Sequence, residues 1–152
     1  MVNSNVLQCL AVYNQLDKSK ASLDAIKYIS NKIYIGEYDF QGIYYPNRYT
    51  LPYAMSEAYL KGVTFHDTII QLLVKDLIQL QNNDGSWTSR KLVNKRDSIQ
   101  STTYALNALV NILNKTKADT LKKYINKGFK FLLKKYNFNK NGIYWKGGIF
   151  FS

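Results

Sequence analysis

Apolar residues recur at helical spacing along most of this chain, and the breaks between them mark the connections. Residues 6–16 form the first such stretch. Leu23, Ile26, Ile29 and Ile33 mark a second helix, with Ser22 placed to cap it. The period fails over residues 36–52, an aromatic loop that holds both prolines, Pro46 and Pro52. Pro52 suits the first turn of a third helix, where its missing N–H is not needed, and Gly62 ends that helix near Lys61. Thr64 to Asp67 has the spacing of a capping box, and the helix after it should run to Gln81 with an apolar stripe wide enough for burial on more than one side. Asn82-Asn83-Asp84-Gly85 signals a turn, and a basic loop follows over residues 90–96. Ile99, Thr103, Leu106, Leu109, Val110 and Leu113 mark a fifth helix. A last helix over residues 119–136 should bury Leu121, Ile125, Phe129 and Leu132, leaving Lys123, Lys127, Lys130 and Lys134 as one solvated basic stripe. No sustained alternation of strand type occurs outside the loops, so the expected class is all-α.

Three segments share one plan: an apolar helix, a turn, then glycine followed by an aromatic. The first runs from Ala25-Ile26-Lys27-Tyr28-Ile29 to Gly42-Ile43-Tyr44. The second runs from Lys75-Asp76-Leu77-Ile78 to Gln81 and Asp84-Gly85-Ser86-Trp87. The third runs from Lys127-Gly128-Phe129-Lys130-Phe131 to Asn141-Gly142-Ile143-Tyr144-Trp145. Each unit is a helical hairpin that cannot bury its apolar face alone, whereas stacked hairpins cover one another.

Gln81-x-x-x-Gly85-x-Trp87 resembles the QW repeat of squalene and oxidosqualene cyclases. Lys127-Gly128-x-x-Phe131-Leu132-Leu133 resembles the opening of the same repeat without its glutamine, and the first segment lacks both Gln and Trp. The resemblance implies an α/α-toroid of the terpenoid-cyclase and protein-prenyltransferase type, with an inner ring of helices inside an outer ring. Gln81 and Trp87 would tie an outer helix to the start of the next inner one, with Gly85 and Gly142 as corner glycines. The chain would supply about three inner and three outer helices of such a ring, a half-toroid in a single domain over residues 1–152. Both ends should then leave apolar surface that favours self-association or the remainder of a ring.

The chemistry is thinner than the fold signal. Proton-initiated cyclases carry an Asp-x-Asp-Asp motif, which this chain lacks, and Cys9 and His66 have no close-spaced partner for zinc, so no cofactor is identified. Cys9 reads as a buried small apolar residue and His66 as an exposed first-turn residue. Asp97 opens the fifth helix and is either an acid at a cavity mouth or an N-cap backed by Gln100. Tyr53, Tyr104 and Trp145 either line a cavity whose π faces stabilise cations or are core aromatics with a polar handle. Glu57 faces either the cavity or a partner outside it. The resemblance thus implies a polyprenyl or triterpenoid substrate in an aromatic cavity, and the alternative is a non-catalytic hairpin array that binds a lipid, peptide or partner protein.

Composition adds direction without choosing a ligand. The formal net charge of +11 favours acidic partners and admits peripheral contact with an anionic membrane, but no motif specifies nucleic acid. Without an apolar run of about 18 residues or a basic-then-apolar leader, a cytoplasmic location is expected, with a membrane-peripheral one as the alternative. The single cysteine excludes an internal disulfide.

Overall fold

The computed structural model describes residues 2–16, 19–38, 47–89 and 97–145, with Asp97 described by its backbone alone. The first corner segment at Gly42, the basic residues Arg90, Lys91, Lys95 and Arg96, and the Gly147-Gly148 pair lie outside the described residues. Six α-helices and one small hairpin are seen among the rest: α1 (Val2–Val12), α2 (Lys20–Tyr34), α3 (Thr50–Leu60), α4 (Asp67–Gln79), α5 (Asp97–Thr116), α6 (Lys122–Leu133), β1 (Asn137–Asn139) and β2 (Gly142–Tyr144). The mostly helical expectation holds at this level.

The helix ends follow side-chain chemistry, not always at the expected residue. Ser19, in extended conformation, caps α2 by accepting from Ala21 N at 3.2 Å. Ser22, expected in that role, lies one turn inside and is buried. His66 caps α4, its Nδ1 accepting from Thr68 N at 3.3 Å, so the acceptor is a ring nitrogen and not the Thr64 hydroxyl. α3 closes with the paired bonds of a Schellman turn, Val63 N to Ala58 O at 3.0 Å and Gly62 N to Tyr59 O at 3.2 Å.

α3 lies between α1 and α5 and packs on both. Small buried residues, Ala54 and Ala58 on α3 and Ala105 and Ala108 on α5, let the two backbones come close. α2 backs α1, α6 backs α5, and α4 touches both α2 and α5, so a second layer lies behind the α1–α3–α5 row. Leu7, Ile29, Leu73, Leu77, Leu109 and Ile125 belong to one continuous core that draws on both layers. Between α2 and α4 the Tyr38 hydroxyl donates to Asp76 Oδ2, and an Arg48 guanidinium nitrogen lies 3.6 Å from the same oxygen.

Two expectations near the C-terminal end are corrected. α6 stops at Leu133 instead of Tyr136, and β1 and β2 pair antiparallel with Asn139 opposite Gly142. The asparagines at 137, 139 and 141 compete with a helix for backbone hydrogen bonds and favour the turn. The buried face of α6 is Leu121, Ile125, Gly128 and Phe131, while Phe129 is 47% exposed. Gly128 moves the contact line: a Cβ there would sit 2.0 Å from Leu106 Cδ1 and 3.0 Å from Trp87 Cζ3, so bare backbone is what packs on α5.

Candidate functional site

The α1–α3–α5 row carries a compact set of polar and aromatic side chains. On α3, Tyr53 and Glu57 are one turn apart and both half-buried. On α5, Gln100 and Tyr104 repeat that spacing, and Asn111 sits two turns beyond Tyr104. The Tyr53 and Tyr104 rings are 5.5 Å apart between centroids and tilted by 33°. Asn111 Nδ2 donates to Glu57 Oε1 at 2.6 Å and to Ser56 Oγ at 3.1 Å. Gln8 Nε2, from α1, donates to the other oxygen, Glu57 Oε2, at 3.3 Å. Gln100 Nε2 donates to the Tyr104 hydroxyl at 3.4 Å.

The carboxylate is therefore held from both sides by neutral amides, with no cation bonded to it among the described residues. Burial, then the nearby Glu57 charge, then Tyr104, push the Tyr53 phenol above its ordinary range. The phenol stays protonated at neutral pH and offers a donor and a π face. Three groups on the sequence shortlist, Tyr53, Glu57 and Tyr104, thus come together. The amides Gln8 and Asn111 were not expected; their only sequence signal is their place on the two helices that flank α3.

The repeat residues form a second structure, the corner after α4. Trp87 is fully buried, its Nε1 donating to Leu77 O at 2.8 Å while its backbone N donates to Thr102 Oγ1 at 2.9 Å. It ties α4 to α5. Gln81 Nε2 donates to Gly85 O at 3.1 Å and to Tyr124 O at 2.9 Å. Gln81 therefore joins its own turn to α6, not to the start of α5. Gly85 has φ +91°, and a Cβ there would stand 2.3 Å from Lys127 O, so α6 lies against the corner backbone.

Trp145 belongs with these corner residues and not with the Tyr53 cluster. Its Nε1 donates to Leu132 O at 2.8 Å, the same tryptophan-to-helix-end bond that Trp87 makes with α4. Gly142 takes φ +115° in the turn before it. The side chain of Asp97 lies outside the described residues, so its two readings stay open. Cys9 is exposed, against expectation, because α1 turns Ser4 and Leu7 inward and Cys9 falls on the opposite side. Lys123, Lys127, Lys130 and Lys134 are exposed. Among the described residues no group of three His, Cys, Asp or Glu side chains converges, and no helix is long and apolar enough to cross a membrane.

An apolar groove of about 640 Å³ runs between α4 and the turn before α6, floored by Ile70, Val74, Ile78, Ile112 and Leu121. Comparison with family models, curated proteins and solved structures returns no match.

Proposed function

We propose that the chain is a terpenoid-cyclase- or prenyltransferase-like hairpin-repeat domain, a half-toroid whose α1–α3–α5 face is the inner one and holds an isoprenoid chain. The observation that carries the reading is the cluster itself: two facing tyrosines beside a carboxylate, assembled from three helices that the repeat makes neighbours. The tilted rings suit an unsaturated hydrocarbon and the electron-poor end of one. Glu57, fixed by Asn111 and Gln8, supplies the negative charge that such an end prefers. The two tryptophan corners with the same bond support the repeat on which the toroid rests. No acid motif stands in the chain, so the proposal is of binding, with no reaction assigned.

Calorimetric titration with farnesol and with farnesyl diphosphate tests this. Tyr53→Ala and Tyr104→Ala should each weaken binding by about tenfold, the scale of one lost aromatic contact when desolvated. Trp145→Phe should leave it unchanged. No heat with either probe, or equal affinity in all variants, would sink the reading. The α4 groove favours a second one, a non-catalytic module that takes an apolar chain on its outer layer. In that case Val74→Arg would abolish binding while both tyrosine variants kept it.

A further inference from the structure

Among the described residues, large apolar side chains left exposed are confined to the two ends of the fold. They run from Val2 to Ile35 and from Phe129 to Trp145, and the described residues of α3, α4 and α5 include none. The first group includes a continuous stripe on α1. Val2, Val6 and Cys9, continued by Tyr13 in the turn just past the helix, recur at helical steps on the side opposite the buried Ser4 and Leu7. A helix apolar on two opposite sides is built to be covered on both. The second group spreads over α6 and the hairpin: Phe129, Leu133, Phe138, Ile143 and the corner residue Trp145.

The interior of the chain shows what covers such a corner. At Trp87 it is the next helical layer: α6 sets Lys127 O against Gly85 and Gly128 against the indole. Trp145 repeats the bond of Trp87 but is 45% exposed. We infer that a second copy of this chain covers it, presenting its α1–α2 end to the α6–hairpin end of the first. Charge selects this pairing over the symmetric one between two α6 ends. The α6 end carries Lys123, Lys127, Lys130 and Lys134, and two such ends would set these lysines face to face. α1 has no charged residue, and α2 beside it sets Lys20, Lys27 and Lys32 against Asp24, so the α1–α2 end is less basic than the α6 end and meets it with less repulsion than a second α6 end would. Each copy has one end of each kind, so two copies satisfy both through two identical contacts in a closed pair. Closure, though not the pairing of the ends, rests on the half-toroid reading above.

Sedimentation of the full chain, from low concentration to about 100 μM, should show a monomer–dimer equilibrium. Val6→Lys at one end and Ile143→Lys at the other should each weaken the dimer by at least tenfold, since each buries a charge in an apolar contact. Both sites are exposed in the single chain, and unchanged circular dichroism would confirm folding. Mixed together, the two variants keep one intact pair of ends between them and should form a one-to-one heterodimer that neither forms alone. Alkylation of Cys9 should slow as protein concentration rises. A wild-type monomer across the range overturns the inference. So do a Val6→Lys variant that dimerises like wild type and a species that grows without limit. Isoprenoid binding in the same samples reports on the proposed function separately: retained binding by a persistent monomer would overturn the pairing alone.

Discussion

Trp87 and Trp145 make the same hydrogen bond in different surroundings. Each indole N–H reaches a carbonyl near the end of the helix before it, at 2.8 Å in both cases. Trp87 is sealed beneath α5 and α6, with no exposed surface, whereas nearly half of Trp145 is open. The bond closes a hairpin on itself, and the neighbouring layer turns that local closure into core. The largest expected effect is therefore a difference. Trp87→Ala should cost about 3–5 kcal/mol, the range for a large buried aromatic, and bring the chain near its unfolding limit. Trp145→Ala should cost about 1 kcal/mol, the net worth of one hydrogen bond. Denaturant unfolding of both variants gives the two values, and equal losses would break the contrast.

The corner glycines sharpen it. Gly85 and Gly142 both take positive φ, but only Gly85 has backbone where a side chain would go. Gly142→Ala should lose about 1–2 kcal/mol from the left-handed conformation alone. Gly85→Ala adds the overlap with Lys127 O, whose position is set by α6, and should lose about 3 kcal/mol or more. If the two losses match, α6 yields at Lys127 and the corner is not a close-packed junction. Gln81 comes next in size. Gln81→Leu removes both donors, leaving Gly85 O and Tyr124 O without this partner, and should cost about 1–2 kcal/mol. The same change at the Trp145 corner has no counterpart, because no glutamine stands there.

These contrasts also explain how much the sequence discloses. The Trp87 corner is legible because its parts lie within a few residues and each has a distinct chemical demand: an amide to bridge, a glycine for the turn, an indole to fill the core. α3, α4 and α5 are legible for the same local reason, their apolar period. The buried face of α6 is not, since Gly128 contributes to it by having no side chain, and a pattern of apolar residues therefore shifts the face toward Phe129. Gln8 and Asn111 escape for the opposite reason. Amides on helices read as solvated, and only the packing of α1 and α5 on either side of α3 shows that they hold Glu57. Cys9 reads as buried because α1 is apolar on two sides, which hides which side is inward.

The smallest effect separates the corners by pH. In the Trp87 corner, Asp84 Oδ1 accepts from Ser86 Oγ at 2.7 Å and from Ser86 N at 3.0 Å. In the Trp145 corner, Asn139 Oδ1 accepts from Asn141 N at 2.8 Å, the same kind of turn made by a group that does not titrate. The Ser86 hydroxyl foremost, against an opposing push from burial and helped by the Ser86 amide and the nearby Lys135 charge, holds the Asp84 carboxyl below its ordinary range. Its contribution is thus complete above the unfolded value of about 3.9 and fades as the pH falls through the lower folded value. Asp84→Asn gives the Trp87 corner the chemistry of the Trp145 corner. It should cost at most about 0.5 kcal/mol at neutral pH, as changes at exposed sites usually do. The gap between wild type and variant should then narrow as the pH is taken below about 4. Thermal unfolding of both proteins across that interval decides the matter, and a gap that stays constant would mean that the charge on Asp84 contributes nothing to the turn.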